Sequence, residues 1–144
     1  MKSLARRAAS GAVSGAGAGL VATLVMSGGF LAAQRLGAIG KLPPRLIIER
    51  FLPKLPEREA RVVATAAHLG YGMAAGSLFG ALRVRSLPAG LVFGLLVWAT
   101  SYEGWVPAAG IFPVAHRDVR ARALTIVGAH LLYGAALAGS LSRR

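Results

Sequence analysis

The chain has 144 residues, 55% of them hydrophobic and only 15% charged, with a formal charge of +12 and no cysteine. This apolar content and a mean hydropathy of +0.58 exceed what a water-soluble domain of this length usually carries. Disulfides, thiolate zinc sites and iron–sulfur clusters are excluded, and a nucleic-acid binder is disfavoured because the basic residues fill gaps between apolar runs without interleaved base-stacking aromatics.

Lys2, Arg6 and Arg7 precede an apolar run that predicts a first membrane span near 10–33. The run is too long for the core of a signal peptide, and further spans follow, so an uncleaved helix is expected. Gly11, Gly15 and Gly19 repeat at four residues and predict close packing against another helix. Gly17-x-Gly19-x-x-Ala22, like Gly70-x-Gly72-x-x-Ala75, matches a dinucleotide fingerprint in form only, because neither copy has both the preceding strand and the later acid.

From Arg35 to Glu59 the chain is basic and punctuated by proline. Pro43 and Pro44 can start a short amphipathic helix near 43–52, with Leu46, Ile47, Phe51 and Leu52 largely on one side and Arg45 four residues before Glu49 on another. Such a segment is expected to lie among the lipid headgroups. A second span, near 60–82, starts after Pro56, Glu57 and Glu59 and carries Gly72, Gly76 and Gly80 on the face that also bears His68.

Pro88 opens a third span near 88–104, in which Gly90 and Gly94 again predict close contact. Trp98, Tyr102 and Trp105 read as an aromatic belt at the membrane surface, and Gly104, Pro107, Gly110 and Pro113 are expected to end the helix. His116-Arg117-Asp118 matches a kinase catalytic-loop triplet, but the other kinase signatures are missing from the sequence. The fourth span, near 121–141, ends in Arg143 and Arg144.

Two segments recur. Ala67-His68-Leu69-Gly70-Tyr71-Gly72 returns as Ala129-His130-Leu131-Leu132-Tyr133-Gly134, and Ala18-Gly19-Leu20-Val21 returns as Ala89-Gly90-Leu91-Val92. The expected fold is therefore all-α: one integral membrane domain over 1–144, built as two parallel-repeat hairpins with both termini on one side.

The Gly-rich first helix ending in Thr23-Leu24-Val25-Met26-Ser27 joins three further features: the Pro43-Pro44 loop, the two His-x-x-Tyr-Gly helices, and Trp98 to Pro107. Over most of its length the chain thus resembles the YagU-like family of small bacterial inner-membrane proteins, whose function is unknown. That resemblance implies a multi-span inner-membrane fold and carries over no catalytic residues.

His68, Tyr71, Glu103, His130 and Tyr133 form the candidate intramembrane polar cluster. At 1.5 Å per residue His68 lies roughly 22 Å from the Arg83 end of its helix, His130 roughly 20 Å from Arg143 and Glu103 roughly 27 Å from Arg85, all in the same half of the membrane. The preferred reading is structural: polar side chains that hydrogen-bond helices together in a non-enzymatic accessory subunit, in contact with anionic lipid headgroups and with other membrane proteins or copies of itself. The alternatives are a proton or small-solute pathway, or a haem held by His68 and His130; otherwise no cofactor, metal or catalytic site is expected. Lys and Arg number 7 on the side of the termini and 10 on the other. The termini, whose short basic tails lack acids, are expected in the cytoplasm.

Overall fold

The computed structural model describes residues 2–143, so Arg144, expected to close the fourth span, lies outside the described residues. Every regular element among them is helical. Helix α1 spans Lys2–Arg35, α2 Pro43–Phe51, α3 Glu57–Ala81 and α4 Leu87–Trp98. Helix α4 runs without break through a π-helical turn, Ala99–Trp105, into α5, Val106–Ala108; a 3₁₀ turn at Ala115–Arg117 then leads to α6, Arg120–Ser142.

Three of these helices, α1, α3 and α6, are long and apolar enough to cross a membrane. Their outward faces carry exposed Val13, Leu24, Val62, Leu78, Leu124 and Leu132. Apolar surface so spread around a bundle is unfavourable in water and is what hydrocarbon accommodates.

Glycine sets the packing. A Cβ built on Gly11 would run into the Gly80 carbonyl, one on Gly15 into Gly76 and one on Gly19 into Gly72, so α1 and α3 lie antiparallel with backbones in contact. Seen from α3, a Cβ on Gly80 would stand 2.7 Å from the Gly15 Cα, and one on Gly76 2.7 Å from the Gly19 Cα. Helices α4 and α6 repeat the arrangement, Gly90 against Gly134 and Gly94 against the His130 carbonyl. Helix α6 also packs on α1, whereas α3 and α4 are not closely packed on each other; their Phe79 and Phe93 rings stand 5.0 Å apart.

Two left-handed glycines close helices where no side chain would be comfortable. At Gly37 (φ 74°) the Ala38 N–H reaches back to the Ala33 carbonyl and ends α1. At Gly110 (φ 69°) the Ile111 N–H does the same to Val106. The helical run that begins with α4 thus extends past Gly104 to Ala108 and closes among the breakers Pro107 and Gly110. Pro107 lies inside it, because a proline in the first turn of α5 needs no N–H partner and the π turn before it re-routes the backbone hydrogen bonds. Thr100 and Ser101 assist by bonding back to the Leu96 and Val97 carbonyls, at 2.9 and 2.7 Å.

The amphipathic segment near 43–52 is α2, which lies across one end of the bundle. Its Leu46 and Ile47 pack on the core, Arg45 bonds Glu49 at 2.8 Å, and Arg50 donates to the Ala109 carbonyl at 3.1 Å. At the opposite end the Arg83 side chain donates to the Arg7 carbonyl, tying the close of α3 to the start of α1.

Candidate functional site

The close glycine contacts bring polar side chains into the end of the bundle nearest α2. Thr23, four residues beyond Gly19, is buried against α3 and satisfies its hydroxyl on the Gly19 carbonyl at 2.7 Å. His130 uses Nδ1 in the same way, donating to the Ile126 carbonyl one turn back at 2.8 Å. Because that acceptor is a carbonyl, the Nδ1 edge must carry the proton. Tyr133, 2% exposed, extends across from α6 and donates to the Gly72 carbonyl of α3 at 2.7 Å.

His68 differs from these. Its ring leans on Phe30, with centroids 6.4 Å apart, and Nε2 is buried without a hydrogen-bond partner among the described residues. An apolar cavity of about 210 Å³ opens beside it where α3 and α4 are not close-packed. Met26, Phe30, Ile47 and Phe112 supply much of its wall, and His68, His130 and Tyr133 face it together. Among the described residues no Asp, Glu, Lys or Arg lines it.

Two members of the expected polar cluster are corrections: Tyr71 reaches only the rim of this cavity, and Glu103 lies outside it. Tyr71 is 46% exposed and stands on the outer rim of the cavity. It sits about 100° around the helix from Gly72, so when the glycine face meets α1 the tyrosine is turned out. Its repeat partner Tyr133 points inward because α6 is flanked by both α1 and α4. Glu103 is not part of the cavity wall: its Oε1 accepts the Ala115 N–H at 2.8 Å and pins the loop before α6. The π turn beginning at Ala99 rotates the residues that follow it away from simple α-helical register.

The expected aromatic belt is likewise divided. Trp105 is 39% exposed on the cavity rim, but Tyr102 is 2% exposed and Trp98 packs against the core with Nε1 buried and unpartnered. Tyr102 is held inside because its hydroxyl donates to Asp118. That carboxylate, its side chain fully enclosed, also receives Arg122 Nε at 2.8 Å and the Val119 N–H at 2.6 Å. The guanidinium in turn lies 4.8 Å above the Phe112 ring. Burial pushes the Asp118 carboxyl up, but the hydrogen bonds from Arg122, Tyr102 and Val119 outweigh it and hold the group below the usual carboxylate range.

Sequence reasoning missed this network. The signal for it was Asp118 two residues ahead of the α6 start with Arg122 at i+4, where an acid meets both a cation and the positive end of the helix dipole.

No family model matches the chain, and no curated protein or solved structure does.

Proposed function

We propose that the chain is a four-span integral membrane protein of the bacterial inner membrane, of the YagU-like kind, acting as a non-enzymatic accessory or structural subunit. The span added to the three long helices, third in chain order, is the unbroken helical run Leu87–Ala108, about 33 Å long at 1.5 Å per residue, enough for the hydrocarbon core. Two repeated hairpins are supported by equivalent contacts: Gly19 meets Gly72 as Gly90 meets Gly134, each pair drawn from the recurring sequence segments. The termini are assigned to the cytoplasm, and the basic end that carries α2 faces the opposite headgroups.

One observation carries the structural role. The Tyr133 hydroxyl bridges α6 to the Gly72 carbonyl of α3, while the Thr23 hydroxyl and His130 Nδ1 are engaged with carbonyls one turn back in their own helices, so the three groups are satisfied within the bundle and form no chain of hydrogen bonds with one another. A porphyrin is also larger than the cavity of about 210 Å³ between the two histidines, which disfavours haem. Extraction in mild detergent tests the subunit role. The expected result is co-migration with a larger membrane complex or a defined multimer; a solitary 14.8 kDa chain would contradict it.

A further inference from the structure

The cavity beside His68 combines four features that no structural role requires. It is bounded by aromatic side chains, Phe30, Tyr102, Trp105 and Phe112, and, among the described residues, by no charged one. It holds about 210 Å³, more than the roughly 150 Å³ cavity known to take up a benzene ring. Its rim includes Tyr71 and Trp105, 46% and 39% exposed, so it opens sideways between α3 and the π turn toward the lipid-facing surface. Finally, its wall carries two imidazoles with complementary needs. His130 has committed its N–H to Ile126, which leaves Nε2 as an acceptor, while His68 Nε2 is buried without a partner.

We propose that this cavity binds one neutral, membrane-soluble hydroxylated ring of the alkylphenol or quinol class, its hydroxyl held by His68 and His130 and its alkyl tail leaving between Tyr71 and Trp105. A hydroxyl can donate to the His130 acceptor and, once the His68 ring turns its enclosed Nε2 toward the cavity, accept from His68, satisfying both rings at once. A lipid acyl chain alone leaves the His68 nitrogen unsatisfied, a cost of the kind that buried polar atoms rarely bear. A fatty acid or phosphate head finds no cation in this cavity itself and is drawn instead to the adjoining pocket, which shares His68 and holds Lys41, Arg45 and Arg61. The membrane reading enters only as the source of the ligand; the pocket itself stands on its geometry.

Calorimetric titration of the purified full chain in detergent micelles, corrected against empty micelles, tests this with 4-pentylphenol, pentylbenzene and decanoate. The phenol should bind saturably at one site and about tenfold tighter than pentylbenzene, the effect of one net hydrogen bond. Decanoate should not displace it. His68→Leu should abolish the preference for the hydroxyl while pentylbenzene still binds. Equal affinity for phenol and benzene, displacement by decanoate, or an unchanged preference in His68→Leu would overturn the proposal. The wild-type ligand series decides by itself if His68→Leu does not fold. A solitary chain that binds the phenol defeats the subunit role and leaves this site intact; a multimer that ignores it does the reverse.

Discussion

The Tyr133 hydroxyl donates to the Gly72 carbonyl across 2.7 Å, joining α6 of the second hairpin to α3 of the first where the two helices do not otherwise pack closely. The contact depends on glycine: a side chain at position 72 would collide with Thr23, whose Cβ would lie 3.0 Å from the added carbon, and would push α3 away from α1. One hydrogen bond therefore reports on the assembly of both hairpins.

Tyr133→Phe keeps the ring and removes that bond. It should lower stability by ~0.5–1.5 kcal/mol, whereas Tyr71→Phe at the exposed repeat position should change little. Thermal unfolding in detergent measures both; equal losses would show that the repeat positions are equivalent after all.

The glycines divide into two kinds, and the same one-methyl change should act on them with opposite sign. At Gly76 a Cβ has no room beside the Gly15 carbonyl and the Gly19 Cα, so Gly76→Ala should destabilise by at least ~1 kcal/mol and Gly76→Leu by ~3 kcal/mol or more. Gly128 has nothing within 4 Å of an added Cβ, and Gly128→Ala should stabilise its helix by about 0.5–1 kcal/mol. Chemical or thermal unfolding of the variants checks the signs; a shared sign would defeat the close-packing account.

Glycine spacing, the repeated hexapeptide and the apolar runs made the all-helical membrane character and the partner faces of α1 and α3 legible in the sequence. Other features depended on what lay across from each residue. Tyr71 and Tyr133 occupy the same place in their repeats, yet one is exposed and the other buried, because α3 has one close-packed long neighbour and α6 has two. Tyr102 read as a surface aromatic because its partner Asp118 lies sixteen residues on, past a loop with no periodicity to place it. The π turn did not show in the sequence, where Pro107 reads as the end of the helix rather than as a shift of its hydrogen bonds by one residue.

The Asp118 carboxyl is held below its unfolded value, so its charge stabilises the fold above that unfolded value, near 3.9, and the contribution is lost as pH falls through the lower folded value. Wild type should therefore lose more thermal stability than Asp118→Asn between about pH 5 and pH 2. At neutral pH the variant should be the less stable, having lost the carboxylate charge that pairs with Arg122. Parallel pH profiles for the two proteins would rule out this network as a contributor.

The cysteine-free chain suits topology mapping with single introduced cysteines. If Leu87–Ala108 spans the bilayer, Arg85→Cys should label from the side of the termini and Ala109→Cys from the side of α2. Labelling of both from one side would reduce the protein to three spans.

Proton flux into liposomes carrying the purified chain tests the central claim, that the intramembrane polar side chains hold helices together, most directly. The expected result is flux no greater than in protein-free liposomes. His130→Gln, which keeps a donor and an acceptor, should then cost stability only modestly, and His68→Gln should fold as well. Wild-type flux that disappears in either glutamine variant while its fold and melting temperature are retained would contradict the claim and establish a conducting protein instead.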